Sequence, residues 1–585
     1  MDSTNSQGTL PDRLADIAAA HPTVATTFWS TGQRLEYAEL YRLSLVAAAE
    51  LVRRGIGRGE PVGILCPNAP EFLVSFFAVA AAGGAATPLP LPASTRRAGG
   101  YPQQLAAITA AAGMRTVLVS STFAELVPLL HGSVDVEFVD TALLTEPGTS
   151  RLTEAATAPL TEAATAPLTE AATAPLTEAA PAVELPHPEP DDLAVVQFTS
   201  GSTALPKGVR LTHRQVLAGL AAIRRGIALD FDDQGGFWLP LFHDMGLFGT
   251  LSAILRGIPS HLWSPLSFVK DPARWLREFA ASGTTITAMP SFGYEALLAA
   301  VDPEQVAEFD LRHWRIAFNG AEPISQEVVS RFLERFAPAG FAPTSMFGVY
   351  GMAEATLAVA FPPLGREPVF EWVDRPLLAD AGVAEPISPE LSWARAVAGV
   401  GAAVDGLELR VVSTDGGIDL PDGHVGEILI RGASVTEGYL TADSDSVADR
   451  FVDGWLRTGD LGYLRTGELF VTGRCKDMIT VRGVNHYAQD VEAAVADLDG
   501  IYKGRCTAAA DPDGADVIAV IAETECEGAA ADALTRAIKD RIAADLGLAA
   551  VDVHLVPPRT IPRTSSGKLR RLAARDLIGV SRAQL

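Results

Sequence analysis

Positive charge is scarce in this 585-residue chain, where 46 Lys and Arg face 71 Asp and Glu for a net charge of −25. Nucleic-acid backbones and anionic membrane surfaces are held by excess Lys and Arg, so both are excluded as partners. Cysteine is scarce as well. Cys66, Cys475, Cys506 and Cys526 show neither C-x-x-C spacing nor the density of a disulfide scaffold, which excludes zinc and redox motifs and suits a reducing, cytoplasmic setting. Long apolar runs are also missing. The longest uncharged stretch, Phe72 to Thr95, is broken by Gly83-Gly84 and by Pro88, Pro90 and Pro92, and so predicts a buried helix followed by a strand, not a membrane span. Met1 to Gln7 carry no basic segment ahead of an apolar core, so no secretory signal is expected.

What is present is a soluble composition, 48% hydrophobic and 20% charged, in a chain too long for a single core. The octapeptide Leu-Thr-Glu-Ala-Ala-Thr-Ala-Pro occurs three times from Leu152 to Pro175 and begins again at Leu176. Proline at every eighth position prevents a long helix, and the region 150–190 reads as an extended surface linker. Beyond it, Leu193 to Phe198 predicts a strand. Thr212 and Gln215 form a capping-box pattern ahead of Val216, Leu220, Ile223 and Ile227 at helical spacing. Strands and helices then alternate as an α/β architecture requires. The alternation repeats on a smaller scale in the tail: strands Glu468 to Val471 and Met478 to Val481, helix Tyr487 to Leu498, strand Val517 to Ala522, and helix Ala531 to Leu546.

The strand at 193–198 opens into Thr199-Ser200-Gly201-Ser202-Thr203-Ala204-Leu205-Pro206-Lys207-Gly208. Glycine lets backbone N–H groups turn inward, four hydroxyls add donors, and Lys207 adds a mobile positive charge, a combination that cradles phosphates. A Ser/Thr/Gly cluster is otherwise an ordinary polar turn. The P-loop pattern is absent, because Pro206 precedes Lys207 and Gly208 follows it.

Four further segments follow in order: Asn319-Gly320-Ala321-Glu322-Pro323, Tyr350-Gly351-Met352-Ala353-Glu354-Ala355-Thr356, Arg457-Thr458-Gly459-Asp460-Leu461-Gly462, and Gly473-Arg474-Cys475-Lys476-Asp477. Near the end stands a basic segment, Arg563 to Arg571, containing Thr564-Ser565-Ser566-Gly567-Lys568. Taken singly, Glu354 reads as a surface helix residue, Asp460 as a turn residue and the basic segment as solvated. Together with the phosphate loop they resemble the signatures of the adenylate-forming superfamily, with Ala204 where that family commonly has glycine.

The resemblance implies a large N-terminal adenylation domain, residues 1–475, and a small mobile C-terminal α/β domain, residues 476–585, hinged at Lys476. It implies ATP and Mg²⁺, with Thr199, Ser200, Gly201, Ser202, Thr203 and Lys207 on the phosphates and Glu354 on the metal. Gly320, Ala321, Glu322, Tyr350 and Gly351 would lie at adenine, Asp460 and Arg474 at the ribose, and Lys568 at the α-phosphate. The catalytic set is then Lys568, Glu354 and Lys207.

Trp238 to Leu247, containing His243-Asp244-Met245-Gly246, and Asn485-His486-Tyr487-Ala488-Gln489-Asp490 resemble the fatty acyl-AMP ligase branch, with Ala488 in place of its usual proline. Members of that branch pass the acyl group to an acyl carrier protein. They also carry an insertion that restricts domain motion, to which the long stretch Phe361 to Val400 corresponds; an ordinary variable loop is the alternative. By position, Phe242, His243, Met245, Gly246, Met289, Phe292, Gly293 and Phe318 would line the acyl pocket. Pro290-Ser291-Phe292-Gly293 departs from the family's Pro-Asn-Phe-Ala, which leaves an aromatic acid as a rival substrate and CoA as a rival acceptor. A non-catalytic nucleotide or acyl binder is a third reading.

Overall fold

The computed structural model describes residues 8–92, 100–144, 183–199, 206–414, 417–481, 484–511, 517–563 and 569–578. The octapeptide repeats, Ser200 to Leu205, Arg482-Gly483 and Thr564 to Lys568 lie outside the described residues.

Two seven-stranded sheets carry most of the chain. In the first, the strands Glu137–Asp140, Thr116–Val119, Pro61–Leu65, Ala85–Pro88 and Leu193–Thr199 run parallel, and Lys207–Thr212 and Tyr439–Leu440 extend the edge antiparallel. The second orders Met346–Gly348, Ile316–Asn319, Ile286–Met289, Gly235–Phe237, Ser260–Leu262 and Ala25–Phe28 in parallel, with Gln33–Glu36 antiparallel at its edge. One hydrophobic core spans both. Purely apolar parallel strands need both faces covered. The uncharged stretch read as helix then strand supplies a cover: Pro70–Ala81 begins with proline at its first turn, and every residue from Phe72 onward is buried.

The capping box forms as the sequence predicts. Thr212 Oγ1 accepts the Gln215 N–H, and the Gln215 side chain accepts the Thr212 N–H at 2.9 Å, starting the helix His213–Gly226. Ile227 falls one residue past its end, as the cap.

A five-stranded sheet follows, built on Leu407–Val412, Gly426–Gly432 and Trp455–Arg465. Here the structure corrects the tail reading. The strand Glu468–Arg474 pairs with Trp455–Arg465 and belongs to this sheet, because a two-residue turn at Thr466-Gly467 folds it straight back. The hairpin Met478–Val481 and Val484–Tyr487 comes next. The following helix is Ala488–Val495, shorter than expected at both ends, since Tyr487 is spent on pairing with Met478 and the chain turns from Ala496. Cys506–Ala510, Ile518–Glu523 and Val551–Val556 form a three-stranded sheet, packed by Ala529–Leu546 around a separate core that includes Val491, Val495, Val520, Ile538 and Ile542.

A buried histidine, His213, and a half-buried one, His261, tie the large part together in neutral form. His213 Nδ1 accepts the Leu10 N–H at 3.1 Å, and His261 Nδ1 accepts Trp29 Nε1–H at 3.1 Å. Burial pushes both down to about 4. The unfolded imidazole protonates near pH 6.5, so between these values the unfolded chain binds more protons. The stabilisation is therefore complete above pH 6.5 and lost as pH falls toward 4, by about 3 kcal/mol per histidine. In urea titrations, His213→Gln is expected to be less stable at pH 7 but to lose less than the wild type between pH 6.5 and 4.

Candidate active site

The motifs at 319–323, 350–356 and 473–477 occupy the ends of strands or the turns beyond them, where α/β sheets place ligands, while Arg457 to Gly462 lie within the strand Trp455–Arg465. Thr199 ends its strand and Lys207 begins the next, and the two are paired, so the phosphate loop is the link between them. Lys207 is half-buried, and its pKa is lowered by burial and then by the nearby Arg450 guanidinium.

Glu354 sits in the short turn Ala353–Ala355 and is buried at 7% exposure, unlike the surface residue it would be in isolation. Its turn is fixed at Thr356, which adopts φ +67° and donates its hydroxyl to Gln215 O at 3.2 Å or Ser434 O at 3.1 Å. That corner needs Gly219, because a Cβ there would stand 2.7 Å from Thr356 Cβ. Burial raises the Glu354 pKa, and the Arg450 charge opposes that rise. Tyr439 OH donates to Glu354 Oε1 at 3.1 Å, and Arg450 Nη2 lies 3.7 Å from the same oxygen.

A second cluster adjoins the first. Tyr350 is buried and donates its hydroxyl to Asp460 Oδ2 at 2.7 Å, while Arg474 Nε lies 3.0 Å from Asp460 Oδ1. Asp460 and Arg474 are cross-strand partners, which explains how residues fourteen apart in sequence meet. Gly351 follows Tyr350 in its two-residue strand, and Lys476 lies exposed in the turn Cys475–Asp477 directly after the sheet.

Gly320 ends the strand Ile316–Asn319, in close approach to Val349 and Met245. Ala321 takes φ +66°, a left-handed conformation that alanine rarely adopts. Glu322 Oε1 accepts the Phe292 N–H at 2.7 Å, joining the segment expected at adenine to the one expected at the acyl chain.

Of the expected pocket residues, Met245, Gly246, Met289, Gly293 and Phe318 are buried, and Phe242 and His243 are half-buried. Phe242 O accepts Gln197 Nε2–H at 2.7 Å, and His243 Nδ1 lies 2.6 Å from Asp244 Oδ1. Met289 packs on Gly293 and Met245 on Gly320. Phe292 differs: it is exposed, with only its edge against Trp238, because the turn of helix that buries Gly293 against Met289 points its neighbour outward.

Arg450 and Tyr439 were not legible as site residues. Each lies outside any recognisable motif and reaches Glu354 through strand pairing alone, Tyr439 opposite Val209 and Arg450 just ahead of the Phe451–Val452 and Trp455 pairing. A second set missed by sequence reading lies in the stretch 361–400. It forms the hairpin Phe370–Asp374 with Ala394–Ala398 and the helix Arg375–Ala381. Arg395 lies with its guanidinium 4.1 Å over the Tyr487 ring, 3.1 Å from Asp490 Oδ1, and donates to Thr472 O at 2.8 Å. Gln489 Nε2–H donates to the same carbonyl at 2.5 Å. Tyr487 and Asp490 of the Asn-His-Tyr-x-Gln-Asp segment therefore hold Arg395 of this hairpin at the start of the helix Ala488–Val495, and Gln489 holds the strand Glu468–Arg474.

Among the described residues, no group of three or more His, Cys, Asp or Glu side chains could hold a metal, and no helix is long and apolar enough to cross a membrane. A buried carboxylate near Lys207, such as Glu354, fits Mg²⁺, which usually takes one or two carboxylates and completes its shell with phosphate oxygens and water.

The profile of a family described as AMP-binding enzyme matches residues 14–440. The medium-chain-fatty-acid–[acyl-carrier-protein] ligase TtuA of Teredinibacter turnerae is 36% identical over 411 residues, 67% of this chain and 64% of that protein. The long-chain-fatty-acid–AMP ligase FadD26 of Mycobacterium marinum is 32% identical over 571 residues, 92% of this chain and 91% of that one. Among solved structures, one from studies of fatty acyl-adenylate ligases from E. coli and L. pneumophila superposes with a TM-score of 0.85 at 31% identity, covering 99% of both chains.

Proposed function

Because this chain belongs to the AMP-binding enzyme family, within its fatty acyl-AMP ligase branch, we propose that it converts a fatty acid and ATP to acyl-AMP and pyrophosphate, then passes the acyl group to the phosphopantetheine thiol of an acyl carrier protein. The observation that carries the reading is the junction of two clusters: Glu354 with Tyr439 and Arg450, and Asp460 with Tyr350 and Arg474. One suits the phosphate end of a nucleotide and the other its ribose, since a carboxylate accepts from both hydroxyls of a vicinal diol.

In the first step a carboxylate oxygen attacks the α-phosphorus, and the bond to the β-phosphate oxygen breaks with pyrophosphate leaving. Lys207 would hold the departing phosphates and Lys568 would face the charge building at the α-phosphorus. Tyr350 would lie against adenine, with Gly320 to Glu322 along its edge. Mg²⁺ on Glu354 would supply charge neutralisation on the phosphates. In the second step the thiol attacks the acyl carbonyl and AMP departs. We place the enzyme in the cytoplasm, a setting supported by four cysteines that are all free thiols.

The domain boundary is part of the same proposal: residues 1–475 form the adenylation domain and 476–585 the small domain that turns at Lys476. The Arg395 clamp supports the carrier protein as acceptor, because it binds the inserted hairpin to the small domain and would restrain the rotation that CoA transfer requires. Pyrophosphate release across fatty, aryl and amino acids tests the first step; release only with aryl acids would refute the fatty-acid reading, and release with none would favour a non-catalytic binder. Offering CoA or phosphopantetheinylated carrier protein tests the second. Wild type is expected to load the carrier protein, and Arg395→Ala to raise CoA thioester formation by about tenfold while adenylation stays within about twofold. If wild-type enzyme prefers CoA, the acceptor assignment is wrong.

A further inference from the structure

Gln197 stands where the fold asks for an apolar residue. Side chains alternate along the strand Leu193–Thr199, so Gln197 shares the face of Val195, which packs in the core spanning both large sheets, while Val196 and Phe198 turn to a smaller cluster on the other face. It is 1% exposed. One end of its amide is used: Nε2–H donates to Phe242 O at 2.7 Å, reaching the turn that follows the strand Gly235–Phe237 of the second sheet. The other end is not. Gln197 Oε1 is buried and accepts no hydrogen bond among the described residues, and a buried acceptor left without a donor costs stability. The reverse amide orientation would set Oε1 against the Phe242 carbonyl oxygen, so the bond itself fixes which end is which.

The turn it holds carries part of the expected acyl site. His243 N–H closes it onto Pro240 O at 3.0 Å, and the helix Asp244–Ile254 begins so close behind that a Cβ on Gly246 would collide with Pro240 O. Phe242, His243, Met245 and Gly246, half of the residues expected around the acyl group, therefore move with this turn. A second amide braces its earlier part. Asn68 Nδ2–H donates to Leu239 O at 2.9 Å and to Trp263 O at 3.1 Å, and Asn68 Oδ1 accepts the Leu241 N–H at 3.2 Å. Asn68 uses both ends of its amide; Gln197 uses one, and stands two residues before Thr199, where the phosphate loop leaves the strand.

We infer that Gln197 is a positioning residue for adenylation, tying the turn that presents the carboxylate to the strand that presents the triphosphate. The inference rests on the proposed acyl-AMP activity. The two substrates are then held by different sheets, and the attack needs the carboxylate oxygen and the α-phosphorus in a fixed mutual geometry. Apolar packing between the sheets is non-directional and does not set that geometry. A short hydrogen bond from the phosphate-loop strand to the acyl-site turn does. Leucine at this position would give up the Phe242 bond and remove the unpaired acceptor together, so stability changes little and the variant tests position.

The test is pyrophosphate release with a saturated fatty acid, varying acid and ATP separately, in wild type, Gln197→Leu and Gln197→Glu. Gln197→Leu is expected to lower kcat/KM for the acid by about thirtyfold while KM for ATP stays within about twofold and the thermal midpoint is little changed. Gln197→Glu adds a readout that packing alone would not move. Burial raises the pKa of a carboxyl placed there; protonated, it donates to Phe242 O as the amide does, and ionised, it repels that oxygen. Its deficit relative to wild type is therefore expected to shrink by about fivefold between pH 8 and pH 6. An unchanged kcat/KM for the acid, an equal rise in both KM values, or a Gln197→Glu deficit independent of pH overturns the positioning role. KM does not depend on the amount of folded enzyme, so a poorly folding variant is still read. Wild type inactive with every acid refutes the proposed activity and this role with it, whereas normal wild-type kinetics with unselective variants refutes the role alone.

Discussion

Replacing Lys568 by alanine is expected to slow pyrophosphate release by about 10²- to 10³-fold while ATP affinity changes by less than about threefold. In the proposed role, a lysine at the α-phosphorus would meet little extra charge in the bound ground state and most of it at the pentacoordinate transition state, so its removal would lower kcat and not binding. Its surroundings support delivery from the C-terminal part. The flanking residues Arg563 and Leu569 are bridged to each other, and Arg571 is held by Glu492 at 2.6 Å and by Asp477 at 2.8 Å. The base of the lysine segment is thereby fastened to the turn that carries Lys476. Transfer from preformed acyl-AMP to the carrier protein is expected to survive in the variant, since that step breaks a carbon–oxygen bond and forms no pentacoordinate phosphorus. Adenylation at the wild-type rate would remove Lys568 from the mechanism.

What the sequence made legible was local or carried by contiguous motifs. Thr212 and Gln215 cap a helix through residues three apart, and Met478 to Val481 is a strand with the expected bounds. The phosphate-loop strand, Tyr350, Asp460 and Arg474 could likewise be placed by motif. Long-range pairing was not legible. Arg450 and Tyr439 become partners of Glu354 only when the chain returns to the edge of Lys207–Thr212 after more than two hundred residues. The allegiance of Glu468–Arg474 is decided by which neighbour it pairs with, and its composition suits either sheet equally. The same holds for Arg395, whose burial between Tyr487, Asp490 and Thr472 follows from a hairpin packing across the chain. Exposure of Phe292 turns on helix phase, which shifts by 100° for each residue of error in where the helix begins.

Glu354→Gln is expected to lower pyrophosphate release by about hundredfold and to raise the Mg²⁺ concentration needed for half-maximal rate, while the protein keeps or gains stability. The two effects have one source. Burial raises the Glu354 pKa, so the ionised carboxylate is disfavoured in the folded chain relative to the unfolded one. A raised carboxylate pKa makes the unfolded state the weaker proton binder, and stability falls as pH rises from the unfolded value through the folded one. Glutamine removes that cost and still accepts the Tyr439 hydroxyl through its carbonyl oxygen. Arg450, half-buried, keeps Tyr439 beside it. A carboxylate kept charged against its surroundings is suited to a cation that arrives with the nucleotide, where one negative charge offsets part of the metal's two. Wild-type Mg²⁺ dependence in Glu354→Gln would take the metal away from this residue. A large drop in thermal midpoint would assign Glu354 to holding Arg450 and the Tyr439 strand in place.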